Sequence, residues 1–481
     1  MLFNSTIFAI FLPIVFVLYW FVTGNKLWLQ NLMLLCSSYI FYGWWDWRFL
    51  FLLLFSTLLD YFSGIKIHEA EKQSSRKFWL ILSVVINLGF LGFFKYYNFF
   101  AVEFATLLRQ IGFSVNEGSF KIIQIILPVG ISFYTFHGLS YIIDIYKRRI
   151  PAVYNFPEYA LFVSYFPLLV AGPIERATHL LPQIQRPRVF NKQQAVNGLR
   201  QILWGLFKKV VIADTCATYA NLIFNNSVDY NGSTLFLGAV FFAFQIYGDF
   251  SGYSDIALGV SKLFGMELLR NFSFPYFSRD IAEFWRRWHI SLSTWFRDYL
   301  YIPLGGSKGG TWMKVRNTFI IFLVSGFWHG ANWTFIVWGL LNALYFIPLL
   351  ISSKNRNHLD IVAQGKAFPT ITDVGKILVT FILTVIAWIF FRSTNLSQAW
   401  EIVTTIFSPS FFQPLQMLPK QPLLLISFFM MIEWVGREHH YGLEQIGIRW
   451  PKFLRWSFFY LLVLLVFIYS GEDQAFIYFQ F

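Results

Sequence analysis

The chain has 481 residues, 56% of them hydrophobic and only 13% charged, with 59 Phe, 19 Trp and a formal net charge of +13. Soluble domains carry about 25% charged residues, so an ordinary soluble fold is excluded and much of the surface must face an apolar solvent. The basic residues stand in short blocks between apolar stretches (Lys147 to Arg149; Arg176, Arg186, Arg188 and Lys192; Lys208 and Lys209), a pattern of cytoplasmic loops in a membrane protein and not of a nucleic-acid surface.

A membrane-crossing helix needs about 20 mostly apolar residues. In chain order the candidate spans are 6–23, 27–44, 48–64, 78–98, 122–145, 157–172, 197–223, 233–262, 317–350, 373–392, 421–436 and 453–470. The 317–350 stretch is long enough for two helices or one steeply tilted helix. The expectation is an all-α polytopic membrane protein, a single domain over 1–481, with about 11 to 13 helical elements, some of them re-entrant. No Lys or Arg precedes Lys26, so residues 6–23 read as a retained first span and not as a cleaved signal. Segments 65–77 and 353–366 are polar connections, and 408–420 reads as a loop or interfacial segment.

Residues 280–300 have a different character. Phe284, Trp288, Leu292, Trp295 and Tyr299 make one helical stripe, and Arg286, His289, Ser293 and Arg297 make another. This predicts an interfacial or re-entrant amphipathic helix, too polar to face lipid. Cys36 and Cys216 lie in apolar stretches and read as small buried hydrophobes, and the chain has no metal-ligand spacing.

His329 is the first chemical candidate. Between Arg316 and Lys354 it is the only side chain that titrates near neutral pH. Ionisable groups inside spans are costly and mark function. A neutral imidazole there serves as a base for a hydroxyl nucleophile, and Gly326 and Gly330 permit close approach of backbone or a thin ligand. The competing reading is a histidine bonded between helices. His289 shapes or binds within a site, or anchors a polar helix face. Its Ser293 neighbour one turn on has no orienting carboxylate to make a nucleophile pair. Asp249 and Asp255 need partners inside an apolar span: they orient a histidine, pair with Arg286 or Arg287, or pin the bundle. Gly305 to Gly310 with Lys308 lacks the Gly-Lys-Ser/Thr closure of a P-loop. It is a flexible loop or a contact for a donor's phosphates. His137 follows a Pro–Gly pair that suggests a kinked helix beside a cavity. The apolar end, Phe476 to Phe481, either anchors at the interface or inserts near the site.

Glu283–Gly306 (EFWRRWHISLSTWFRDYLYIPLGG) and Gly326–Asn332 (GFWHGAN), with Asp249–Asp255 (DFSGYSD), Leu127–Phe136 (LPVGISFYTF) and Ala171–Arg176 (AGPIER), closely resemble the membrane-bound O-acyltransferase family in its alginate O-acetyltransferase-like branch, with peptidoglycan and cellulose relatives. The matches occur in order and span most of the chain. The resemblance implies helices ringed around a transmembrane tunnel, His329 as the catalytic histidine and His289 as the second family histidine. It implies no bound cofactor, acetyl-CoA as the donor, and a periplasmic SGNH-hydrolase-like acetyltransferase as the partner. That partner would deliver acetyl groups to a cell-envelope polysaccharide outside a bacterial inner membrane. Arg286, Arg287, Trp328, Asn332, Asp249, Ser251 and Lys308 are the donor-binding or tunnel candidates. A related branch transfers D-alanine from a carrier protein and uses a short companion with an aromatic end. The tail 476–481 looks like that end fused to the enzyme, making Tyr478 a candidate acyl carrier. The alternatives are a D-alanyl or other acyl transferase fed by a carrier-protein thioester, and, remotely, a channel or transporter.

Overall fold

A computed structural model describes residues 1–113, 126–471, 474 and 477. Among the described residues every regular element is helical. Six helices are long and apolar enough to cross a bilayer: Arg48–Glu69, Gln73–Gln110, Gly232–Leu263, Trp333–Ile351, Ile371–Arg392 and Lys452–Tyr469. The protein is a multi-pass membrane protein with the expected all-α architecture.

The chain forms two compact units, residues 1–195 with 261–268, and residues 196–260 with 269–481. In the first, Arg48–Glu69, Gln73–Gln110 and Ile131–Tyr146 pack together. On the long helix Phe78, Ile81, Val85 and Leu88 form an exposed apolar row suited to lipid. Its inner face is polar. Asn87 donates to an Asp60 carboxylate oxygen at 2.8 Å and accepts from Ser56 at 2.8 Å, and Ser83 also donates to Asp60. Buried polar groups in apolar surroundings demand such mutual satisfaction, and here they tie two helices together. Gly138 is required at the crossing, because a Cβ there would lie 1.9 Å from an Asp60 carboxylate oxygen.

The second unit holds both candidate histidines, His289 and His329. The 317–350 stretch resolves into two helices, Gly310–His329 and Trp333–Ile351, packed as a hairpin. Glycines set their contact: a Cβ on Gly326 would sit 2.3 Å from the Phe335 carbonyl oxygen, and one on Gly339 would sit 2.4 Å from that of Phe322. The expected 197–223 span is Lys192–Leu206 and Asp214–Asn225, joined by a π-helical segment, Phe207–Ala213. Gly205, Gly248 and Gly252 let this segment and Gly232–Leu263 meet backbone to backbone.

Two sequence expectations are corrected here. Lys208 and Lys209 are not loop residues: both lie in the π-helical segment and are 3% exposed. Carboxylates supply the physical reason. Lys208 pairs with Asp255 at 2.5 Å, and Lys209 pairs with Asp214 and Asp249, each at 2.8 Å. These lysines, and not Arg286 or Arg287, partner the aspartates of Gly232–Leu263. The second correction concerns 280–300. It is not one helix but Ile281–Arg287, Ile290–Phe296 and a π turn Arg297–Tyr301. The break falls at His289, whose φ of 44° is left-handed. The heptad-like stripe persists in the sequence, but the chain changes direction in its middle.

Candidate active site

His329 is the last residue of Gly310–His329, where the helix ends in the extended Gly330. It is 7% exposed. Its ring packs edge-on to Trp338 at 5.0 Å and to Phe391 at 5.2 Å, with Trp328 at 4.8 Å. The box continues through Trp388, stacked on Trp338 at 5.8 Å and 5.1 Å from Trp288. Gly330 leaves room for the Phe335 ring, which a Cβ would meet at 2.2 Å. The aromatic walls make the surroundings of the imidazole largely apolar, with the indole N–H groups of the tryptophans as the other polar atoms of the box.

His289, distant in sequence, is brought to the same place. Its ring lies 6.2 Å from Trp328 and 4.6 Å from Phe250, so Trp328 neighbours both histidines. The strained backbone at His289 is fixed by Asn271. Its main-chain carbonyl accepts from the Ile290 N–H at 2.9 Å, and its side-chain oxygen accepts from Ser291 Oγ at 2.9 Å. That same oxygen is 3.0 Å from His289 Nδ1. An amide oxygen only accepts, so the network assigns the proton to Nδ1. Nε2 then carries a lone pair, and this buried atom has no hydrogen-bond partner among the described residues. Left-handed backbone at a non-glycine residue, held by its surroundings, is characteristic of functional sites.

Asn271 is the residue that sequence reading missed; nothing around it in the sequence carries a motif. It also lines a narrow polar pocket with Lys208, Tyr247, Ser251, Asp255, Arg270 and Glu433. The pocket thus runs from two cationic side chains to the amide that orients His289. Ser251 is 1% exposed, and its hydroxyl has no hydrogen-bond partner among the described residues. Glu433 accepts from Tyr247 at 2.5 Å and from Trp204 at 3.3 Å. Replacing Asn271 with Leu is expected to lower turnover about 100-fold, the scale of an approximately 1 Å misplacement, with a smaller fall in thermal midpoint from the buried donors of His289 and Ser291 that lose their acceptor. A midpoint collapse matching the activity loss would instead assign Asn271 to the fold alone.

The other candidates fall in varied places. Asn332 caps Trp333–Ile351 by accepting from the Thr334 N–H at 3.0 Å and donates to the Thr394 carbonyl at 2.8 Å, so it fixes the turn beside His329. Arg286 donates to the carbonyls of Asn355 and His358, and Arg287 donates to Glu283 at 2.7 Å. These arginines organise the 353–366 connection. Arg279 helps: hydrogen bonding from its guanidinium holds the Asp360 carboxyl below its ordinary pKa. Lys308 is exposed and precedes Gly310–His329, so it lies about 30 Å from His329 by helix rise. Asp249 accepts from Lys209 and from the Ile477 N–H at 2.7 Å. Tyr478 lies outside the described residues.

The comparisons with known proteins agree with one another. The family model of the membrane-bound O-acyltransferases matches residues 147–393. A protein of Pseudomonas aeruginosa described as probable alginate O-acetylase AlgI is 40% identical over 85% of this chain and 75% of its own length. The peptidoglycan O-acetyltransferase of Helicobacter pylori is 36% identical over 84% and 79%. The teichoic acid D-alanyltransferase of Streptococcus thermophilus is 33% identical over 45% and 55%.

Proposed function

The chain belongs to the membrane-bound O-acyltransferase family, and from that premise we propose that it is an O-acetyltransferase acting on alginate, peptidoglycan or a similar cell-envelope polysaccharide. Acetyl groups come from cytosolic acetyl-CoA, cross a bacterial inner membrane through the protein and pass through a periplasmic SGNH-hydrolase-like partner to sugar hydroxyls. The observation that carries the reading is the meeting of His289 and His329 beside Trp328 in one aromatic box.

Charge supports the direction. In the second unit the helix ends near Lys308, Lys314 and Arg316, near Lys354 and Arg356, and near Arg449, Lys452 and Arg455 are basic. By the positive-inside rule they face the cytosol. The Lys208–Arg270 pocket includes Leu258, His440 and Tyr441 and so belongs to that side. His329 terminates its helix at the opposite, less basic end.

The chemistry then balances in two steps. His329 takes the proton of the Tyr478 hydroxyl, whose ordinary pKa of about 10 makes a base necessary at neutral pH. The phenolate oxygen attacks the thioester carbonyl, the C–S bond breaks, and the imidazolium returns its proton to the leaving thiolate. An acceptor hydroxyl then attacks the acetyl carbonyl, the tyrosine ester C–O bond breaks, and the acceptor's proton passes to the leaving phenolate, restoring the Tyr478 hydroxyl. His289 Nε2 accepts a hydrogen bond on the donor side.

Incubation of purified full-length protein with radiolabelled acetyl-CoA, beside a Tyr478→Phe variant, tests the scheme. Label retained on the parent and lost from the variant is the expected result. Full transfer by the folded variant would remove Tyr478 from the mechanism. Label from an acylated carrier protein but not from acetyl-CoA would move the chain to the carrier-fed reading.

A further inference from the structure

The mechanism above does not use Lys209, a fully sequestered ammonium. Its three N–H donors are all accounted for. Nζ is 2.8 Å from an Asp214 carboxylate oxygen, 2.8 Å from Asp249 Oδ1, and 3.2 Å from the main-chain carbonyl of Gln474. Two carboxylates around one buried ammonium leave an excess negative charge, which is costly unless another donor meets it. The Ile477 main-chain N–H does so, donating to Asp249 Oδ2 at 2.7 Å. Ile477 itself is 1% exposed. The Phe207–Ala213 π-helical turn presents Lys209 to both aspartates, Asp214 lying at its C-terminal boundary and Asp249 on Gly232–Leu263.

From these contacts we infer that Lys209, Asp214 and Asp249 form a buried main-chain clamp that docks the C-terminal segment through the Gln474 carbonyl and the Ile477 N–H. At Gln474 and Ile477 the clamp engages main-chain atoms, so it fixes the position of these two residues without using their side chains. Lys209 and Asp249 are thus positioning residues. Asp214 also lines a pocket with Thr218, Gln421, Tyr469 and Ser470. That pocket includes the residues leading into the docked segment, at the less basic end of Lys452–Tyr469. The consequence for transfer rests on the reading that the tail takes part in it; the docking itself does not.

The test uses full-length protein in detergent carrying Cys36→Ser and Ile477→Cys, with N-ethylmaleimide as the probe and mass spectrometry as the readout. Cys216, 1% exposed, is an internal reporter of the fold. In this parent the cysteine at 477 should react slowly. Adding Lys209→Met should speed its labelling by about tenfold or more, as local release of one segment does, with Cys216 unchanged. Lys209→Arg should preserve protection. Fast labelling in the parent, unchanged protection in Lys209→Met, or Cys216 reacting in step with position 477 would each overturn the clamp. If labelling behaves as expected but acetyl transfer by Lys209→Met stays at the parental rate, the clamp stands and the tail's role in transfer falls.

Discussion

His329→Ala is expected to lower acetyl transfer about a thousandfold, the middle of the range for a positioned general base and equivalent to about 4 kcal/mol of barrier. The loss should appear in kcat, with the KM for donor little changed, because in the proposed mechanism the imidazole acts on the hydroxyl proton and not on the donor headgroup. The ring is wedged between Trp338 and Phe391, so alanine also leaves a cavity. His329→Gln controls for that by keeping bulk and polarity while losing the base. Initial rates against donor concentration for both variants decide the matter. A glutamine variant within threefold of the parent in kcat would reduce His329 to a packing residue.

Glu283→Leu should be among the most destabilising single changes in the second unit. Glu283 is 1% exposed and accepts from Arg279 and Arg287, with Arg279 Nε at 3.1 Å and Arg287 at 2.7 Å. Breaking a buried ion pair by removing one partner costs about 3–5 kcal/mol, because the remaining charge stays desolvated. The damage is local in origin but reaches the site. Arg287 also donates to the Ser273 carbonyl, and Ser273 lies two residues from the Asn271 that orients His289. A clearly lowered thermal midpoint with reduced transfer is the expected outcome. Asp46→Asn, which removes the charge that pairs with the exposed Arg48, should leave the midpoint nearly unchanged, since pairs at the surface contribute little. Equal midpoints for the two variants would show that burial at Glu283 has no energetic weight.

The aromatic and glycine-rich motifs already pointed to both histidines, and the reason is chemical. Histidine in an apolar stretch is costly, so its presence marks use. Arg286 and Arg287 were equally visible, but their neighbours were not. The structure gives their donors to Glu283 and to the carbonyls of the 353–366 connection. Lys208 and Lys209 were read with the wrong sign of environment. An adjacent basic pair looks like a loop because a one-dimensional reading cannot see three carboxylates converging on it.

The sequence by itself determined the solvent and the class. Its shortage of charge, its apolar runs and its basic punctuation require a helical membrane protein, since only internally satisfied backbone survives in lipid. It also determined which imidazoles were worth suspecting. Tertiary structure decided what surrounds them. It placed His289 in a left-handed turn and committed its Nδ1 proton to Asn271. It set Trp328 beside both histidines and routed Lys209 and Asp249 to main-chain atoms of Gln474 and Ile477. These relations join residues far apart in the chain through packing and paired buried charge, and local pattern encodes neither.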